Sequence, residues 1–267
     1  MITHNFFNDL FVIPILNVLV ALYSGLHAVH IPGAFGFAII ALTVGIRFLL
    51  HPFFKQQIHT ARKMQEIKPH LDRLSQEHKK DPKKLQQEQL KLYQEHGLNP
   101  ASGCLFLIVQ IPVFIGLYST LNAFLRNGMN AKAIENINSL LYTKSIAIHQ
   151  AIDPSFFGLN LAITPQKAGV WFYLLIPVIT GVLRYFQASV SMAQQTPETK
   201  AVVKKKKGEA EKSDMSGDFQ KAMNTQMKYI FPFMIGYFAY TLPTGLSLYW
   251  NIFSLFSIMQ YRRVNGK

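Results

Sequence analysis

Cysteine is almost missing from the sequence: Cys104 stands alone among 267 residues. An intramolecular disulfide and a thiolate metal cluster are therefore excluded. Lys and Arg are absent before Arg47, so no charged n-region of a signal peptide precedes the first apolar stretch. Acidic residues are absent from every long apolar run, which removes the paired carboxylates of an intramembrane protease and any ion pair buried within the apolar segments. No apolar run carries a Gly-x-Ser-x-Gly element, no glycine-rich phosphate loop opens a helix, and no His or Cys cluster has ligand spacing. These absences point to a protein that is not an enzyme and has no cofactor or metal. No internal repeat is visible, which weighs against transporters built from duplicated halves.

What is present is apolar sequence in long blocks. Hydrophobic residues make up 49% of the chain and charged residues 15%, and the charges are gathered between the blocks instead of being spread over helix faces. Residues 32–54, 104–125 and 169–189 are each long enough, at about 1.5 Å per residue, to cross a hydrocarbon core of about 30 Å. Two shorter runs, 229–242 and 246–261, follow as a close pair. At about 21 and 24 Å they are too short to cross untilted, so their turn is expected below the outer headgroup level.

A net charge of +13 could suggest nucleic acid, but its placement argues otherwise. Lysines and arginines crowd residues 55–91, 200–221 and 262–267, while residues 1–30 hold none and 126–167 hold only Arg126, Lys132, Lys144 and Lys167. This is the positive-inside alternation, and it puts the N-terminus outside and the C-terminus in the cytoplasm. The expected fold is an all-α membrane protein with a five-transmembrane-helix core. It runs from an extracytoplasmic N-terminal segment (1–30) to span 1 (31–54), a cytoplasmic helical hairpin (55–100), span 2 (101–125) and an extracytoplasmic segment (126–168). Span 3 (169–190), a flexible cytoplasmic loop (191–225), span 4 (226–242), span 5 (243–261) and a cytoplasmic tail (262–267) complete it.

Within these segments, residues 10–23 are apolar but short and interrupted by Pro14 and Asn17, which suggests an outer interfacial helix, with a sixth span as the alternative. In the hairpin, Asp81-Pro82 supplies an N-cap and a first-turn proline for the second arm, and Gly97 with Asn99-Pro100 stops it. Its apolar residues are sparse, so it is expected to be mobile. Residues 131–152 are weakly amphipathic, and the run 156–163 lies between Pro154 and Pro165; both are expected on the membrane surface.

Arg47 is the most informative residue. It sits in the inner half of the first span, where an ionised side chain costs roughly 2.5–3.5 kcal/mol unless something solvates it. With no acid in the spans it must meet water or neutral dipoles, or snorkel to the headgroups. Thr43 lies one turn before it, Gln110 interrupts the second span, Gln187 the third, and Ser247, Trp250 and Ser254 share one face of the fifth. These are the ingredients of a hydrated cavity, although each polar residue taken singly reads rather as packing glue between helices. Arg184, near the inner end of its span, reads as a snorkelling residue.

Three stretches carry a family resemblance: "IRFLLHPFFKQQIHTARKMQEIKPHLDRL", "LYQEHGLNPASGCLFLIVQIPVFIGLYSTL" and "LPTGLSLYWNIFSLFSIMQ". In this order they resemble the first span with hairpin, the second span and the last span of the YidC-type membrane protein insertases, which have relatives in mitochondria and chloroplasts. His70, Phe106 and Ser254 depart from the family's usual residues, and Asn251 does not stand at the helix position where an asparagine is common, that of Ser254. The resemblance implies a multi-pass protein of a bacterial-type plasma membrane with a positively charged hydrophilic groove, open to cytoplasm and lipid. Its clients are nascent membrane proteins; the Sec translocon and the ribosome are the further partners it raises, beside the lipid bilayer. Arg47 would be the electrostatic element of the client-binding groove, Thr43, Gln110, Gln187 and Trp250 its walls, and the hairpin a lid. Without the resemblance, a channel or transporter and a structural assembly factor stay open.

Overall fold

The computed structural model describes residues 2–78, 81–98, 102–125, 130–193 and 226–265. The expected stop at Asn99-Pro100 and residues 194–225 of the loop expected over 191–225 lie outside the described residues; residues 191–193 continue the preceding helix.

Apolar side chains at helical spacing dictate a mostly helical chain. A wide π turn, Asn8–Val12, leads into α1 (Ile13–Ala28), and α2 (Ala34–Leu49) follows after Gly33. Next come α3 (His51–Glu77), α4 (Pro82–Glu95), α5 (Ser102–Leu125) and the short α6 (Ala131–Ser139). A two-stranded antiparallel ladder, β1 (Ser155–Phe156) with β2 (Leu159–Asn160), precedes α7 (Leu175–Ala193), α8 (Phe231–Thr241) and α9 (Thr244–Asn265).

Two described helices are long and apolar enough to cross a bilayer, Asn8–Ala28 and Trp171–Ser191; Ala34–Leu49 with His51–Met64 makes a third if that pair, bent by 57°, forms one span. The stretch expected as an interfacial helix over 10–23 is thus part of a longer helix. Pro14 is the second residue of α1, directly after the π turn, so it stands where the wider turn passes into the α-helix and not in the helix interior. Asn17 is no interruption, because it bonds the carbonyls of Ile13 and Leu140 and accepts from the Tyr142 N–H at 2.9, 3.0 and 2.7 Å. The bend at Leu50 falls inside the stretch 31–54, just before Pro52.

The core lies where α1, α2, α5 and α9 meet. Phe35, Ile39, Thr43 and Arg47 form an i, i+4 stripe along α2, all buried, whereas Phe48 and Leu49 point outward. α7 packs against α8 and α9, with Gly181 and Gly236 at the crossing: a Cβ on Gly236 would lie 3.3 Å from the Pro177 carbonyl. The outward faces of α7 and α8 expose Val178, Ile179, Val182, Phe186, Phe233 and Tyr237, as a lipid-facing surface does.

The stretch 131–168 folds back over one end of this bundle. Asn138 bonds both the N–H and the carbonyl of Ile148. The Phe157-Gly158 turn, both residues at positive φ, aims Phe156 into a seat on α2 where Gly33 and Gly36 leave room; a Cβ on Gly36 would meet that ring at 2.2 Å. Thr244 and Gly245, which open α9, donate to the carbonyls of Ile163 and Leu161 at 3.0 and 2.9 Å. The turn between α8 and α9 is thereby held under this cover, and Thr244 is buried. α9, at 22 residues, is longer than its apolar run because helix continues through Gln260, Arg262 and Arg263.

Candidate functional site

Arg47 is 2% exposed. It reaches from the last turn of α2 to α9, where Nη2 donates to the Phe253 carbonyl at 2.9 Å and to Ser257 Oγ, and Nη1 donates to Gln260 Oε1 at 3.4 Å. Its guanidinium carbon lies 3.6 Å from the centroid of the Phe253 ring and 4.2 Å from that of Phe54. The partners are all neutral, a carbonyl, a hydroxyl, an amide and two π faces, which is how a buried cation is held when no carboxylate is near.

The Phe253 ring has a second cation. Arg184 on α7 has its guanidinium carbon 5.2 Å from the same centroid, and its Nη1 donates to Gln187 Oε1 at 3.1 Å. The arginine read as a snorkelling residue thus shares an aromatic ring with Arg47. Gln187, one of the expected wall residues, meets Arg184 directly.

The other expected residues divide. Thr43 is buried and donates to the Ile39 carbonyl one turn back at 2.7 Å, so its hydroxyl serves its own helix. Trp250 is buried and stacks on Phe114 of α5, centroids 6.1 Å apart and planes at 10°. Gln110 lies beside Tyr249, and its Oε1 is buried without a partner among the described residues. The same holds for Arg47 Nε, Arg184 Nε, Ser247 Oγ and Ser254 Oγ. Unpaired polar atoms inside an apolar bundle are expensive, and water or a bound chain would satisfy them.

Sequence reasoning missed the face of α9 that receives Arg47. Tyr249, Phe253 and Ser257 are spaced i, i+4, i+8, with Gln260 beside them, whereas attention to polar residues picked out Ser247, Trp250 and Ser254. The legible signal was Ser257 with Gln260 near the inner end of an apolar run, two neutral partners at the depth of Arg47. Nucleophile–base geometry is not formed by these groups, and among the described residues no group of three or more His, Cys, Asp or Glu could hold a metal.

The family model described as 60Kd inner membrane protein matches residues 26–267. The chloroplast inner membrane protein ALBINO3 of Arabidopsis thaliana is 32% identical over 257 residues, covering 93% of this chain and 51% of its own length. A membrane protein insertase YidC from Alkalihalophilus pseudofirmus is 29% identical over 265 residues, covering 97% of this chain and 81% of its own length. Another, from Helicobacter pylori, is 28% identical over 233 residues, 87% of this chain and 33% of its own. The chain spans about half the length of the chloroplast relatives it matches.

Proposed function

Because the chain belongs to the 60Kd inner membrane protein family, whose bacterial relatives here are named membrane protein insertases, we propose that it inserts client transmembrane segments into the lipid bilayer. Its clients are nascent membrane proteins; the Sec translocon and the ribosome are partners proposed by family likeness. In this reading five spans form the core, with the N-terminus outside, the C-terminus in the cytoplasm and α3–α4 as a cytoplasmic lid. Arg47, Thr43, Gln110, Gln187 and Trp250 belong to a hydrophilic client-binding groove open to cytoplasm and lipid.

One observation carries the proposal: a fully buried arginine on an apolar helix, held by groups that are all neutral among the described residues. A polar client segment part-way across a bilayer loses its water, and a preformed cation with nearby unpaired dipoles lowers that barrier. The barrier falls most for acidic segments. The cover of residues 131–168 over the start of α9 supports a groove closed on the outer side, and the lipid-facing surfaces of α7 and α8 support lateral release of an apolar helix.

Proteoliposomes containing this protein alone test the reading. A single-span client with a short acidic tail is expected to insert with its tail protected from protease, while empty liposomes leave the tail accessible. Ion flux without client insertion would indicate a channel or transporter, and neither activity would leave a structural assembly role.

A further inference from the structure

The two cations on the Phe253 ring are not equivalent. Arg47 is fully buried against two aromatic rings, and three hydrogen bonds tie it to α9. Arg184 is half-buried. Of the five N–H donors of a guanidinium one has a hydrogen-bonded partner among the described residues, Gln187 Oε1. Its Nε is buried and unpaired among the described residues, and it sits against the ring from α7, a helix that exposes Val178, Ile179, Val182 and Phe186. A carboxylate arriving from the lipid side or the cytoplasm meets an Arg47 whose two terminal nitrogens are both engaged with α9, and an Arg184 with only one terminal nitrogen bonded among the described residues.

We propose that Arg184 is the specificity-determining residue that an acidic client residue contacts, with Gln187 fixing its guanidinium and Arg47 holding Phe253 and α9 beneath it. This rests on the insertase reading. Two arginines beside one ring, with no carboxylate among their partners in the described residues, suit a client carboxylate bound in bidentate fashion. Arg47 contributes its positive potential to that carboxylate without giving up its own bonds. A client whose translocated tail is neutral gains nothing from Arg184 and enters at a rate the residue does not set.

The test uses proteoliposomes of the full-length protein and three single-span clients that differ only in tail charge: neutral, one Asp, or one Lys. Arg184→Gln is expected to lower insertion of the Asp client about tenfold, with the neutral client unchanged. Arg184→Lys should keep part of the preference, and Arg184→Glu should reverse it toward the Lys client. A photo-crosslinker placed beside the client Asp should label α7 in the wild-type protein. The proposal is overturned if Arg184→Gln lowers all three clients alike, if Arg184→Glu leaves the order of preference unchanged, or if the crosslink falls on α9 alone. A wild-type protein that inserts none of the three overturns the insertase reading itself, an outcome separate from these.

Discussion

The guanidinium of Arg47 stacks on the ring of Phe253, 3.6 Å from its centroid, and the same side chain bonds the Phe253 backbone carbonyl. One residue of α9 thus takes Arg47 by both ring and main chain, and α2 is tied to α9 through it. From sequence, Arg47→Ala is expected to weaken insertion of acidic clients and leave the fold intact. The observed contacts change the second half of that expectation. Truncation leaves Ser257 Oγ short of a donor and a hole between Phe54 and Phe253, so Arg47→Ala should also cost about 2 kcal/mol of stability. Arg47→Lys keeps the charge but loses the planar stack and the forked donors, and should fall between. Thermal unfolding in detergent, run beside insertion assays, separates the two effects; an unchanged unfolding temperature for Arg47→Ala would show that the tie is not structural.

Gly36 and Phe156 form the second joint, on the other side of the bundle. The ring occupies the space a side chain at residue 36 would need. Gly36→Ala should therefore expel Phe156 and destabilise by about 1–3 kcal/mol, and Phe156→Ala should cost a similar amount through lost burial. The double variant should cost clearly less than both together, since the second change removes what the first clashes with. Strict additivity in unfolding temperature would mean that the two do not meet.

The alternation of apolar and basic blocks was readable in the sequence, and so was local chemistry. Asp81 caps α4, its Oδ1 accepting from the Lys84 N–H at 3.1 Å, and Gly97 takes the positive φ expected of a helix stop. The neutral company of Arg47 followed from the absence of acids in the apolar runs. Long-range pairing was not readable. Asn17 looked like an interruption because its partners Leu140 and Tyr142 lie over a hundred residues away. The β1–β2 turn depends on Phe157 adopting a positive φ, which its identity discourages. Arg184 could be placed on the Phe253 ring only once α7 and α9 were known to touch.

Gly236 sets how closely α8 approaches α7. Its Cβ position lies 3.3 Å from the Pro177 carbonyl and 3.6 Å from Gly181 Cα, the close approach that small residues permit between membrane helices. α8 has only 11 residues and little other surface with which to compensate. Gly236→Leu should separate the two helices, lower the unfolding temperature and expose the segment to protease, while Gly236→Ala should have a much smaller effect. Equal protease resistance of wild type and the leucine variant would rule out a packing role.

Asp153 links pH to the cover over the bundle. Hydrogen bonds from the Ser155 side chain and backbone N–H, the latter at 2.9 Å, hold its carboxyl below the ordinary carboxylate range. A depressed value stabilises the folded form above about pH 3.9, and the contribution fades as pH falls through the lower folded value. The β1–β2 hairpin should accordingly loosen only in acid. Hydrogen exchange over 153–160, compared at each pH with Asp153→Asn, should differ above about pH 3.9 and converge on the variant only once pH has fallen through the lowered folded value; a difference that persists in stronger acid would contradict this linkage.

The last expectation concerns the α3–α4 pair. α3 buries Ile58 and Ile67, but α4 buries only Leu85, and its main packing is against α3. The cleft between them, about 280 Å³, is lined by charges of both signs, among them Arg73, Glu77, Glu88 and Lys91. Thin apolar contact and exposed charge give a helix few reasons to stay docked, so α4 should open at much lower free energy than α2. Amides of residues 83–95 should exchange at least about tenfold faster than those of Ala34–Leu49. Raising the salt should widen the gap, because it screens the charges that line the cleft and leaves the core of α2 untouched. A lid that captures clients needs this mobility. If α4 exchanges as slowly as α2 at every salt concentration, the pair is a rigid part of the bundle and the lid is wrong.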